Sequence, residues 1–287
     1  MSEHLISMKN VAKTYDEFKL DKVSLNIPKG KIIGLIGENG SGKTTIIKLI
    51  LNEVQKDSGE ILVFGKKNDL NIKSNKEDLA VIFDTNHFHE IFNAQEIGKF
   101  MKKIIHRWDD HKYEELLATF NLPANKPIKD FSHGMKVKLN FAIVLSYAPK
   151  LLILDEATNG LDPMVRREIL DILQRYVANK ERSVFISSHI ISDLDRIADQ
   201  IILLHQGNIL LDEEKETLLN KYGIATCTND YFNKINPNDI LMFNRDFGKM
   251  NVLVTDRRAF KQKHPKCEWL IPNLEDLLYL FVRGERA

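Results

Sequence analysis

The octet Gly37-Glu38-Asn39-Gly40-Ser41-Gly42-Lys43-Thr44 constrains this chain more than any other feature. Its glycines let the backbone adopt left-handed conformations and turn N–H groups toward an anion. Ile32 to Ile36, just before it, reads as a buried strand; Thr45, Ile46, Ile47, Leu49 and Ile50, just after it, read as a helix. Strand, glycine loop and helix N-terminus together make a phosphate site, because backbone donors and the helix dipole converge there. Lys43 is placed to neutralise β- and γ-phosphates and the Thr44 hydroxyl to ligate Mg²⁺. The loop candidates for holding a nucleotide are Gly37, Asn39, Gly40, Ser41, Gly42, Lys43, Thr44 and Thr45.

A second acidic site follows Leu151-Leu152-Ile153-Leu154, where Asp155 and Glu156 close an apolar run. A buried strand that ends in two acids puts them at the sheet edge where open α/β folds hold ligands. Asp155 suits Mg²⁺, held through water, and Glu156 suits polarising an attacking water.

Apolar runs alternating with amphipathic stretches predict an α/β fold with helices covering a sheet. Further buried strands are expected at Leu79 to Phe83, Val184 to Ser187 and Ile201 to Leu204. Alternation in Leu5 to Met8 and Val23 to Ile27 suits an antiparallel side sheet. Between Asn93 and Ala148 helical periodicity replaces strand signals, with Pro123 and Pro127 breaking it before a helix near Phe131. The tail has two expected strands, Ile240 to Phe243 and Val252 to Thr255, and an amphipathic helix over Asn273 to Val282.

Phe131-Ser132-His133-Gly134-Met135-Lys136 resembles the LSGGQ signature of ATP-binding cassette (ABC) ATPases, and Ala157-Thr158-Asn159-Gly160-Leu161-Asp162 resembles their D-loop. His189 matches the family's switch histidine, and Tyr15 the aromatic that stacks on adenine, with a core aromatic as the alternative for Tyr15. The resemblance covers roughly residues 4 to 215 and implies a P-loop NTPase core with an antiparallel β side sheet, an inserted helical subdomain and a small C-terminal α+β appendage. On it the ATPase domain spans 1–219, with the helical subdomain at about 86–148, and an accessory domain spans 220–287.

The resemblance also implies ATP and Mg²⁺ as cofactors, with Glu156, His189 and Lys43 as the catalytic residues. It implies as well that two modules pack head to tail, so that Ser132 and Gly134 of one face the ATP of the other, as a homodimer or a heterodimer. The chain departs from the pattern at His133 and Met135, and at Asp84, where relatives carry a glutamine. Either Asp84 joins Thr44 and Asp155 at the metal, or a shifted loop gives that place to Asn86.

Asp84, Trp108-Asp109, the Ser-His-Gly-Met-Lys signature and Asn273 to Leu280 resemble bacitracin-resistance-type and phenol-soluble-modulin-type exporters. That implies a separate transmembrane permease as partner and an amphipathic peptide or antibiotic as cargo. Forty-one basic residues against forty acidic ones give no global drive toward nucleic acid. Other family members are soluble ATPases acting on nucleic acid or ribosomes, or regulatory nucleotide binders; the lack of a second module disfavours the first, and Glu156 with His189 the second. No apolar run approaches the ~20 residues of a membrane helix, and no h-region follows the polar Met1-Ser2-Glu3-His4. The chain is therefore expected to be cytoplasmic, peripheral on the inner face of the plasma membrane through its permease. Phe88, Ile91 and Phe92 either dock that permease or form core of the insert. Cys227 and Cys267, far apart in sequence, are expected as free thiols rather than a disulfide.

Overall fold

The computed structural model describes residues 4–68, 77–83, 89–246, 248–270 and 272–286. The chain opens on an antiparallel hairpin of β1 (His4–Thr14) and β2 (Lys19–Pro28). Along β2, Leu20, Val23, Leu25 and Ile27 turn inward while most of their neighbours stay in contact with solvent, the alternation of a sheet with one wet face. Next come β3 (Ile32–Ile36), α1 (Lys43–Ile50), β4 (Ser58–Val63) and β5 (Lys66–Lys67). The first two and last two of these five strands form the side sheet, in the order β2-β1-β4-β5.

The chain continues through β6 (Leu79–Phe83), α2 (Ala94–Ile104), α3 (Asp110–Thr119), α4 (His133–Leu145), β7 (Leu151–Asp155), α5 (Pro163–Val177), β8 (Ser183–Ser188), α6 (Ile191–Ile197), β9 (Gln200–His205), β10 (Asn208–Glu214) and α7 (Lys215–Lys221). The central sheet runs β10-β9-β3-β8-β7-β6, parallel from β9 to β6, with β10 antiparallel at its edge. Alternate residues of β3 serve two cores. Ile33 and Leu35 pack with the side sheet and α1, whereas Ile32 and Ile36 face the helices on the other side. Full burial of each such side chain contributes about 1.5–3 kcal/mol, so both faces of the sheet are fixed in register.

The helical insert is organised by its caps. Asn93 and Glu96 form a capping box at α2, Asp109 caps α3, and Ser132 caps α4. Gly98 lets α2 meet α3 closely, since a Cβ there would lie 2.6 Å from the Tyr113 ring. The Tyr113 hydroxyl donates to the Ala94 carbonyl at 2.8 Å, and burial pushes its own pKa up.

The tail comprises β11 (Gly223–Thr228), α8 (Asn229–Phe232), β12 (Met242–Asp246), β13 (Lys249–Val254), α9 (Arg257–Lys263), β14 (Glu268–Leu270) and α10 (Leu274–Arg283). Its antiparallel sheet, ordered β12-β13-β11-β14, has a small core of its own around Val252, Phe260, Cys227 and Cys267. Both cysteines are free and buried. The strand expected at Ile240 to Phe243 begins two residues later, at Met242, because a 3₁₀ turn over Pro237–Asp239 precedes it. Helix α10 returns to the main body, where Leu274, Leu277, Leu278 and Leu280 join the larger core. Among the described residues, no helix is long and apolar enough to cross a membrane.

Candidate active site

The loops after β3, β7 and β8 leave the same end of the central sheet, and the candidate residues gather there. Between β3 and α1 the backbone turns left-handed at Gly40 (φ 80°) and Gly42 (φ 111°). A Cβ on Gly37 would sit 2.4 Å from the Ser41 hydroxyl oxygen and 2.5 Å from the Leu204 carbonyl oxygen, so only glycine fits. Lys43, 5% exposed, curls back to donate to the carbonyls of Gly37 at 2.8 Å and Glu38 at 3.2 Å. Ser41 Oγ is buried without a hydrogen-bond partner, a polar atom left over inside a loop of donors. Asn39 and Thr44 are exposed, and Thr45 is half-buried.

Asp155 ends β7 and is held from both sides. Ser187 on β8 donates to Asp155 Oδ1 at 2.6 Å, and the Thr44 hydroxyl donates to Oδ2 at 3.0 Å. Glu156, the next residue, takes a left-handed backbone (φ 53°), uncommon for a side chain with a Cβ and characteristic of functional turns. Its backbone N–H donates to the Ser187 carbonyl and hydroxyl oxygens, both at 3.2 Å. Its carboxylate lies 3.3 Å from Lys43 Nζ and 3.5 Å from His189 Nδ1, and accepts from the Asn159 amide at 2.6 Å. Burial pushes the Glu156 carboxyl up, but the Lys43 charge and hydrogen bond, with Asn159 and His189, outweigh it and hold the pKa below the ordinary glutamate value.

Asn159 also connects to the helix that begins at Ser132. Its carbonyl accepts from His133 Nε2 at 3.0 Å, so the histidine that replaces the usual glycine ties α4 to the loop after β7. Within that loop Thr158 donates to buried Asp193 at 3.2 Å, while Asp162 caps α5. The contacts of Ser132 and Gly134 run to Met135, Val165 and Leu161, and those of Lys43 to Gly37, Glu38 and Glu156. A Cβ on Gly134 would make only ordinary contacts within the chain, the nearest at 3.6 Å.

Tyr15 is 42% exposed at the tip of the β1–β2 hairpin, which excludes the core-aromatic alternative. Its neighbour Phe18 touches the phosphate loop, since a Cβ on Gly42 would lie 2.6 Å from the Phe18 ring. Ile91 and Phe92 are 67% and 44% exposed rather than insert core. Asp84, Asn86 and Phe88 lie outside the described residues.

A family profile described as ABC transporter matches residues 20–159. The chain is 34% identical over 211 residues to a bacitracin transport ATP-binding protein, BcrA, of Enterococcus faecalis, covering 72% of this chain and 68% of that one. It is 31% identical over 293 residues to the ABC transporter ATP-binding protein YtrB of Bacillus subtilis, covering 98% and 99%. The chain belongs to the ABC transporter ATP-binding family. A solved ATP-binding subunit of an ABC transporter superposes with a TM-score of 0.68 at 25% identity, over 75% of this chain and 91% of that one. ATP binding with ATPase activity is the family's business, and the match to YtrB extends through the tail.

Sequence reasoning about this ABC ATPase missed two groups that hold its carboxylates. Ser187 is visible in the sequence only as a strand end, and its role depends on β8 lying against β7; Asn159 is visible only as part of a loop, and it reaches Glu156 three residues back through the turn between them. A serine closing an otherwise apolar strand is the signal available in the sequence.

Proposed function

We propose that this chain binds ATP at the phosphate loop and hydrolyses it at Glu156 to drive a separate membrane permease that exports an amphipathic peptide or a peptide antibiotic. One observation carries the reading: Lys43, Thr44, Asp155, Glu156 and His189 form one hydrogen-bonded and charged cluster at the N-terminus of α1. Lys43 is already released from bulk water and needs only to exchange loop carbonyls for phosphate oxygens. Phe18 reaches the loop from the hairpin, and Tyr15, with its ring centroid 6.4 Å from that of Phe18, offers an exposed face for adenine.

The Thr44 hydroxyl and Asp155 carboxylate, 3.0 Å apart, form the oxygen donor set that a hard divalent cation prefers, so the residues fit Mg²⁺. Bound there, Mg²⁺ supplies charge neutralisation to the β- and γ-phosphates. Asp84 belongs to the same proposal, supported by the pairing of Phe83, one residue before it, with Asp155 across the two strands. Glu156 is held ionised by Lys43, Asn159 and His189, the protonation state that a base polarising water needs. His189 steadies that carboxylate.

Ser132 and Gly134 act in trans in this reading, on the ATP of a second copy or of a related ATPase. Ser132 is exposed and Gly134 half-buried, which leaves both within reach of a second module. Exposed Ile91 and Phe92 offer a permease an apolar contact, which would put the chain on the cytoplasmic face of the plasma membrane. The chain then divides into an ATPase domain over 1–219, with its helical subdomain at about 86–148, and an accessory module over 220–287. A peptide antibiotic as cargo is supported by the likeness to the bacitracin transport protein.

Membrane flotation tests the partnership. The purified chain alone should stay with the soluble fraction, and should float only when its membrane subunit is coexpressed. Tight binding of the purified chain to protein-free liposomes would contradict the reading.

A further inference from the structure

Helix α10 belongs to the tail in sequence but packs beside the start of the phosphate loop in space. Its leucines anchor it in the main core, and its other edge, with Tyr279 and Arg283, closes a cleft of about 370 Å³ against Gly37, Glu38 and His189. At the end of this helix Arg283 Nη2 donates to Glu38 Oε1 at 2.9 Å, joining residues 245 positions apart. Glu38 is no peripheral partner, because its carbonyl accepts the hydrogen bond of Lys43.

A carboxylate is an unfavourable group in a loop that receives a triphosphate, since its field opposes the incoming anion. We propose that Arg283 is a positioning residue for the phosphate loop: it cancels the Glu38 charge and fixes the loop, so the C-terminal helix sets part of the affinity for Mg-ATP. This rests on the reading that residues 37–44 bind the triphosphate. Both side chains of the pair are more than half exposed, at 62% and 54%, so water and salt screen the interaction and its effect is modest. Glu275 on the same helix and His189 and His205 from the strand ends also line the cleft, but Arg283 is the group in contact with the loop. The coupling is reciprocal: whatever α10 adds to nucleotide affinity, bound nucleotide returns as tighter docking of α10.

Steady-state ATPase assays on the full chain test this with Arg283→Gln, Arg283→Lys and the double variant Glu38→Gln/Arg283→Gln. Arg283→Gln should raise KM for Mg-ATP about two- to fivefold with kcat unchanged, an increase that fades at high salt. Arg283→Lys should keep most of the wild-type KM, and the double variant should return toward it because the repelling charge has gone too. Wild-type KM in Arg283→Gln, or a double variant as impaired as the single one, would overturn the proposal. A Lys43→Ala control separates the two levels. If its KM is also unchanged, the phosphate-loop reading falls and takes this proposal with it; if Lys43→Ala is impaired and Arg283→Gln is not, this proposal alone fails.

Discussion

Two helices leave the same end of the central sheet, α1 after β3 and α5 after β7, and they begin in opposite ways. Helix α5 satisfies its own first turn: Asp162 accepts from the N–H groups of Met164 and Val165, each at 3.1 Å, and Pro163 removes a third donor. Helix α1 starts from Gly42, with no side-chain cap and no acidic residue in its first turn. Among the described helices of eight residues or more, the other five all have a side-chain cap. An uncapped N-terminus is a cost wherever nothing else accepts its donors. Here a buried lysine stands at its first position, which suits the same end to the anion that the proposed function places there.

The largest expected break in this comparison comes from Lys43→Ala. Losing a desolvated charge–phosphate contact should weaken Mg-ATP binding by about two orders of magnitude, equivalent to about 3 kcal/mol, with the fold intact. Calorimetry with a non-hydrolysable ATP analogue measures it. Asp162→Ala asks the converse question at α5. It should lower stability by about 1 kcal/mol in chemical denaturation while the isolated chain binds nucleotide as before. Equal effects of the two variants on nucleotide binding would erase the distinction between the helices.

The smallest expected effect lies in acid. The folded-state pKa of Glu156 is lowered, so its contribution to stability is present above the unfolded glutamate value of about 4.3 and is lost as pH falls through the folded value. Lys43→Ala removes the largest of the lowering influences. The stability difference between wild type and Lys43→Ala should therefore shrink as pH falls through that range. A difference that stays constant from neutral pH to pH of about 3.5 would mean that Lys43 does not set the Glu156 ionisation.

What the sequence made legible follows the strength of local signals. Runs such as Ile32 to Ile36 and Leu79 to Phe83 are uninterrupted and apolar, and they coincide with β3 and β6. Strand β10 carries Asp212, Glu213 and Glu214, and its pairing with β9 rather than its composition makes it a strand. The tail strand expected from Ile240 starts late because Pro237, Asn238 and Asp239 form a turn just before it. At the site, the residues that touch phosphate in the proposal lie within contiguous motifs and are readable, whereas Tyr15 stands alone in the sequence. Of those that hold them, Ser187 and Arg283 act across strands or across most of the chain, where spacing carries no information, whereas Asn159 acts locally, three residues after Glu156.

The central claim is that Glu156 is the base and Lys43 with α1 the receptor, two functions held in one cluster. Single-turnover and steady-state hydrolysis by Glu156→Gln test it most directly, because the amide keeps the shape and the Asn159 neighbour but removes the charge. The account predicts that turnover falls by at least about 10²-fold while Mg-ATP binding persists, with the ATP-bound protein accumulating as a dimer. Near-normal turnover in a folded Glu156→Gln protein would contradict it and place the base elsewhere.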